Sequence, residues 1–252
     1  MMAENSQRPV SLPAEIQAGL DRFCEQIRSA LGADLISVVL YGDLVKGQPA
    51  TSELPTELML VLKQSSVDQL DKLVEPLQEG IQAIRLSLML TTPEDLRSST
   101  DVFPIKFMDI QRHHQLLWGS DSLAEISIAR EHLRLRCEQE CKNLLLRLRR
   151  SYVLRARQPE MLAATLKSSL SPLLSDLEVL YGLETGQPRL ADASALIAAV
   201  AGTFDFDPAP LKDVLELKNG GSKPDSGAVK SLYGRFLETI ERIAGIADRL
   251  KA

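Results

Sequence analysis

Two short apolar runs, set apart by a polar loop, limit what this 252-residue chain can become more than any other feature. Leu35–Tyr41 reads LISVVLY, and residues 57–62 read ELMLVL. Each is too short for an ordinary helix and almost continuously apolar, which is the signature of a strand covered on both faces. The intervening residues 42–56 are rich in Gly, Pro, Ser and Thr and predict a loop. Helical periodicity on either side supplies cover for such a sheet. Ile16, Leu20, Phe23, Ile27 and Leu31 recur every three or four positions. They predict a helix that Ser11 caps and Gly32 ends. Residues 67–80 predict a second helix, and 84–90 (IRLSLML) a third strand. Thr92, Pro93 and Asp95 spell a helix start: a cap, a first-turn proline and a carboxylate at the third position. Residues 103–110 (FPIKFMDI) predict a fourth strand.

From Ser122 onward strand signals give way to helical ones. Leu133, Cys137, Cys141, Leu144, Leu148 and Tyr152 step by three and four along one long amphipathic helix. Further helices are predicted over residues 161–183, 192–200, 208–217 and 227–250, punctuated by Gly186-Gln187-Pro188 and Asn219-Gly220-Gly221. The expected fold class is α+β: a mixed sheet with flanking helices, followed by an all-α bundle. The expected domains are a flexible tail over residues 1–10, a sheet-containing domain over 11–118 and a helical domain over 119–252. Charge supports the division. Residues 1–125 carry 10 basic and 18 acidic side chains, and the remainder carries 19 and 16.

At 4% aromatic residues the core must be built from Leu, Ile, Val and Ala. The net charge of −5 predicts attraction to neither nucleic acid nor membrane. Residues 1–10 lack a signal-peptide pattern, and no apolar run approaches the roughly 18 residues of a membrane span. Cys24, Cys137 and Cys141 are an odd set without a C-x-x-C pair. Together these lead to the expectation of a reduced, cytoplasmic protein. Cys137 and Cys141 are expected as small buried side chains, since His132 does not complete a zinc pattern.

The segment VVLYGDLVKGQPATSELPTELMLVLK, residues 38–63, resembles the nucleotidyltransferase domain of the polymerase-β superfamily. In that family a strand ends in Gly-Ser, a polar loop follows, and the next strand opens with Asp-x-Asp. Carboxylates two apart on a strand share a face, where they hold Mg²⁺ ions that clamp a triphosphate. A third carboxylate on a neighbouring strand completes the family site. The segment FPIKFMDIQRHHQLLWGSDSL, residues 103–123, resembles the link to the helical partner domain. The helical remainder resembles that of aminoglycoside-nucleotidyltransferase-like proteins.

Carried onto this chain, the resemblance implies a degenerate site. Gly42 matches the family glycine, but Asp43 stands where the phosphate-binding Ser belongs. The Asp-x-Asp positions read Glu57-Leu58-Met59, so one carboxylate is replaced by a thioether that is a poor partner for a hard cation. Lys106 occupies the place expected for the third carboxylate, and Asp109 survives nearby, on the opposite face if the segment is a strand. Gly42, Asp43 and Lys106 are the candidate nucleotide-binding residues. Glu57 and Asp109 are the candidate catalytic and metal-ligating residues, should the chain be active. Each also has a plain structural reading: Gly42-Asp43 as a strand-ending turn, and Glu57, Lys106 and Asp109 as solvated surface.

The reading that follows is a non-catalytic binding or regulatory module using the cleft between residues 42–57 and the helical domain. It needs no cofactor. Two alternatives stay open: an active Mg²⁺-dependent nucleotidyltransferase acting on a small molecule or protein, and a module whose helices pair with another chain. Expected partners are a nucleotide or small-molecule ligand and a second copy or other protein, with neither membrane nor nucleic acid. Arg130–Arg157, with eight Arg and one Lys against three Glu, is expected to face the acidic N-terminal half. His113-His114 is expected in a linker helix, Trp118-Gly119 as an anchor and helix stop, and Asp207 as an N-cap ahead of Pro208.

Overall fold

The computed structural model describes residues 12–46, 54–187, 190, 192–220 and 225–251. The expected tail, Ser11, and parts of the 42–56 loop and of both later punctuation sites lie outside the described residues. The chain divides into two compact units, one running to Ile128 and one starting at Ala129. The expected boundary at residue 118 falls inside a strand of the first unit.

In the first unit the amphipathic pattern gives α1 (Ala14–Leu31), which buries Leu20, Phe23, Ile27 and Leu31. Gly32 ends it at φ +53, and a 3-10 turn over Gly32–Asp34 leads into β1 (Leu35–Tyr41). After the loop come β2 (Thr56–Leu62), α2 (Val67–Asp71), α3 (Val74–Ile84) and β3 (Leu86–Thr91). The single helix expected over 67–80 is thus two. Next, α4 (Pro93–Ser98) starts as predicted. The Thr92 hydroxyl accepts the Asp95 N–H at 3.1 Å, and the Asp95 carboxylate accepts the Thr92 N–H at 2.9 Å.

The fourth strand is not where the apolar pattern put it. Residues 103–110 lie mostly in α5 (Pro104–Arg112), and the strand is β4 (His114–Gly119). The reason is legible in retrospect. Pro104 sits at the first helical position, where its missing N–H costs nothing, while Phe107 and Ile110 are buried at the i, i+3 spacing of one helix face. The strand order is β3-β2-β1-β4, with β2 and β3 parallel and the other pairs antiparallel. Both faces of the sheet are packed. Val38, Leu40, Leu58 and Leu60 meet α1 and α3 residues on one side. Val39, Met59 and Val61 meet Leu96, Phe107, Ile110 and Leu123 on the other.

Trp118 and Gly119 belong to this strand and stop no helix. The Arg28 guanidinium lies 5.3 Å from the Trp118 ring centroid. Gly119 has φ +89, and a Cβ there would fall 2.0 Å from the Ile36 carbonyl oxygen. Gly119→Ala is therefore expected to destabilise the first unit by about 2 kcal/mol, read as a lowered denaturation midpoint.

The second unit is helical among its described residues: α6 (Arg130–Arg155), α7 (Pro159–Thr185), α8 (Ala193–Phe204), α9 (Ala209–Lys218) and α10 (Ser226–Arg249). The predicted stripe Leu133, Cys137, Cys141, Leu144 and Leu148 is buried along α6. Tyr152 continues it by packing against Tyr233, ring centroids 5.3 Å apart. The Tyr233 hydroxyl donates to the Leu148 carbonyl at 2.9 Å. Much of the basic character of α6 is used within this unit. Arg134 pairs with Glu138, Arg136 with Glu140, Lys142 with Glu138 and Arg149 with Glu241. Pro208 occupies the cap of α9, while the Asp207 carboxylate accepts the Ala209 N–H at 2.9 Å.

Candidate functional site

The site is built at the end of β1. Tyr41 pairs with Glu57 across the antiparallel ladder, so the start of β2 lies beside the turn that leaves β1. Gly42 has φ +84, and a Cβ on it would overlap the Glu57 Oε2 position at 1.9 Å. A glycine is thus what allows the carboxylate to lie against this turn. The Val45 and Lys46 N–H groups donate to the Gly42 carbonyl at 3.2 and 3.3 Å, winding the chain into a helix-like turn. The turn carries the Lys46 ammonium to 2.6 Å from Asp109 Oδ2 and 3.9 Å from Asp43 Oδ1.

Helix α5 supplies the opposite side. Because this segment is a helix, Lys106 and Asp109 are three apart on one face. The strand-based expectation that they point to opposite faces is corrected. Asp109 also holds His113, whose Nδ1 lies 3.2 Å from Asp109 Oδ1. His113 is the C-terminal cap of α5, and His114, the first residue of β4, turns to Asp121 at 3.3 Å. Adjacent in sequence, the two histidines serve different carboxylates.

These charges act on one another through a partly desolvated space. Glu57 has its pKa raised above the usual carboxylate range, first by burial and next by Asp43. Lys106 and Lys46 oppose the rise, and Asp109 adds to it. Tyr41, buried beside Glu57, is pushed up to about 12 by burial and then by the Glu57 charge. All five residues singled out from sequence, Gly42, Asp43, Glu57, Lys106 and Asp109, therefore lie around one place. The sixth participant, Lys46, is missed by sequence reading. Its signal was present as a lysine one turn beyond a glycine at a strand end, but only the winding of that turn aims it inward.

The arrangement does not fit a pair of Mg²⁺ ions. Glu57 is the only carboxylate on the four strands. Met59, two residues on, is 0% exposed and belongs to the apolar cluster beneath α5. The strand beside β2 is β3, which sets Ser87 next to Glu57 and Met89 next to Met59, so no third carboxylate comes from it. The expected third position, Lys106, is on a helix. Among the described residues no group of three or more His, Cys, Asp or Glu side chains is placed to hold a metal ion. What occupies the site is two ammonium groups among three carboxylates, so the Lys46 ammonium already takes the Asp109 oxygen that a hard cation would need.

No protein-family model matches the chain, and no curated protein matches it in sequence. Its fold is similar to that of spectinomycin adenyltransferase AAD(9) from Enterococcus faecialis, whose structure was solved with ATP and spectinomycin. The TM-score is 0.51 at 11% identity, covering 89% of this chain and 99% of that one. Likeness at this level speaks for the fold alone: the chain has an α+β, nucleotidyltransferase-like fold with a helical C-terminal region. No described helix is long and apolar enough to cross a membrane.

Proposed function

We propose that this protein is a non-catalytic member of the nucleotidyltransferase-like kind, acting as a binding or regulatory module. The observation that carries the reading is a site in which the Lys46 and Lys106 ammonium groups stand among the Asp43, Glu57 and Asp109 carboxylates. One carboxylate is left on the sheet, Met59 fills the second position with buried apolar volume, and the Lys46 ammonium lies against Asp109. Transfer of a nucleotidyl group by the family chemistry depends on metal ions that neutralise developing charge on the phosphates. Fixed lysines supply charge but cannot take phosphate oxygens into a shared coordination shell. The ligand class that this reading favours is a nucleotide or other small molecule, since the fold relative AAD(9) was solved with both ATP and spectinomycin.

Calorimetric titration with ATP, with and without Mg²⁺, separates this reading from its main rival. The expected result is an affinity for ATP that is the same with and without the metal. A second reading, an active Mg²⁺-dependent transferase with Glu57 and Asp109 as ligands, draws on one observation. Asp43 and Asp109 lie close enough to Glu57 to raise its pKa, so three carboxylates share a region. Tight binding that requires Mg²⁺ and is abolished by Glu57→Gln would establish that enzyme and overturn the proposal.

A further inference from the structure

Away from the sheet, the second unit contains a groove of about 420 Å³ between the C-terminal part of α6 and the N-terminal part of α7. Arg147, Ser151 and Arg155 line one wall, and Thr165, Ser168 and Ser169 line the other. No carboxylate is among the lining residues. Four other basic residues of α6 are neutralised by carboxylates. Arg134, Arg136, Lys142 and Arg149 each have a glutamate partner. Among the described residues Arg147 and Arg155 form no ion pair with a carboxylate. Arg147 feels the charge of Asp176 only at a distance.

One of the two arginines is also oriented. Arg155 Nη1 donates to the Thr165 hydroxyl at 3.0 Å, and that hydroxyl is itself held by donating to the Met161 carbonyl at 2.8 Å. The Ser151 hydroxyl lies 3.3 Å from Thr165 Oγ1, tying the two walls together. Ser168 and Ser169 both donate to the Thr165 carbonyl in this state, at 3.0 and 2.7 Å. Rotation about one bond redirects either hydroxyl into the groove. Arg147, together with the N–H groups that Arg155 keeps beyond its Nη1 bond to Thr165, stands beside rotatable hydroxyls as a donor set suited to a tetrahedral oxyanion.

We infer that this groove binds a phosphate ester: the phosphoryl group between Arg147 and Arg155, with the serine hydroxyls completing its hydrogen bonds. The rest of the ligand leaves over an apolar rim. Leu154 follows Arg147 and Ser151 at i+7 and i+3 on the same face of α6, and Met161 precedes Thr165 and Ser168 at i−4 and i−7 on α7. These side chains are 65% and 42% exposed. The phosphoryl group can therefore come from a soluble phosphate ester with an apolar substituent or from a lipid headgroup. This inference does not depend on the Glu57 site.

The test is calorimetry of the full chain with pyrophosphate and with phenyl phosphate, alongside flotation on phosphatidylcholine vesicles with and without phosphatidic acid. Binding is expected to weaken about tenfold or more in Arg147→Gln and to be unchanged in Arg150→Gln, a neighbouring arginine outside the groove. Circular dichroism melts establish that both variants keep their fold. Binding to phenyl phosphate assigns the first source, flotation alone assigns the second, and binding to pyrophosphate alone overturns the ester. Equal losses in Arg147→Gln and Arg150→Gln would show general charge attraction and overturn the site. So would loss of binding in Lys106→Met, which would place the anion in the first unit, and so would no binding in either arm.

Discussion

Met59→Asp, which places a second carboxylate two residues after Glu57, is expected to unfold the first unit and to create no metal site. Met59 is 0% exposed, pairs with Val39 across β1 and lies beside Met89 on β3. Its other neighbours, Val61, Leu96, Phe107 and Ile110, offer no donor to a carboxylate. Placing an unpaired charge there costs about 5 kcal/mol or more, comparable with the whole stability of a domain. The measurement is a pair of denaturation curves, with and without millimolar Mg²⁺, compared with Met59→Leu. The leucine variant is expected to stay within about 1.5 kcal/mol of the parent, because it keeps volume and apolarity. A folded Met59→Asp protein that Mg²⁺ stabilises would mean that this region still accommodates a cation, and it would favour the active transferase.

In the second unit the largest expected effect belongs to Asp176. This residue is buried on α7, and burial raises its pKa from 3.8 to about 7, with Glu140 adding and Arg136 and Arg147 opposing. Cys137 donates its thiol to the Asp176 carbonyl at 3.7 Å, and burial raises the pKa of both Cys137 and Cys141. The folded chain keeps the Asp176 proton up to about pH 7, whereas the unfolded chain loses it near pH 4. Between those values the folded state binds the extra proton, so stability falls as pH rises through this window and is level above it. Asp176→Asn removes the titration. Relative to the parent, the asparagine variant should gain about 3 kcal/mol of stability between pH 5 and pH 8, roughly two pKa units' worth. Melting curves of both proteins at the two pH values measure this difference, and equal shifts at both would refute it.

Strands β1 and β2 were legible because burial on both faces leaves little room for polar residues. The sheet's third strand, the capping box at Thr92 and the long stripe along α6 were legible for similarly local reasons. The strand assigned to 103–110 was wrong because a short apolar segment satisfies both periodicities, and only packing chose between them. Phe107 and Ile110 reach the underside of β1 and β2 from a helix, and the edge place next to β1 goes to HQLLWG instead. That one change put Lys106 and Asp109 on a common face.

By itself, then, the sequence determined the α+β class, the two-part organisation and the apolar side chain at Met59. These follow from composition and spacing, which act within a few residues. Only the tertiary structure decided which charges gather around Glu57. Lys46 reaches Asp109 across 63 positions, and β3 rather than 103–110 lies beside β2. Neither fact has a local signal, because a salt bridge across the fold and a strand's choice of neighbour are settled by the packing of elements already formed.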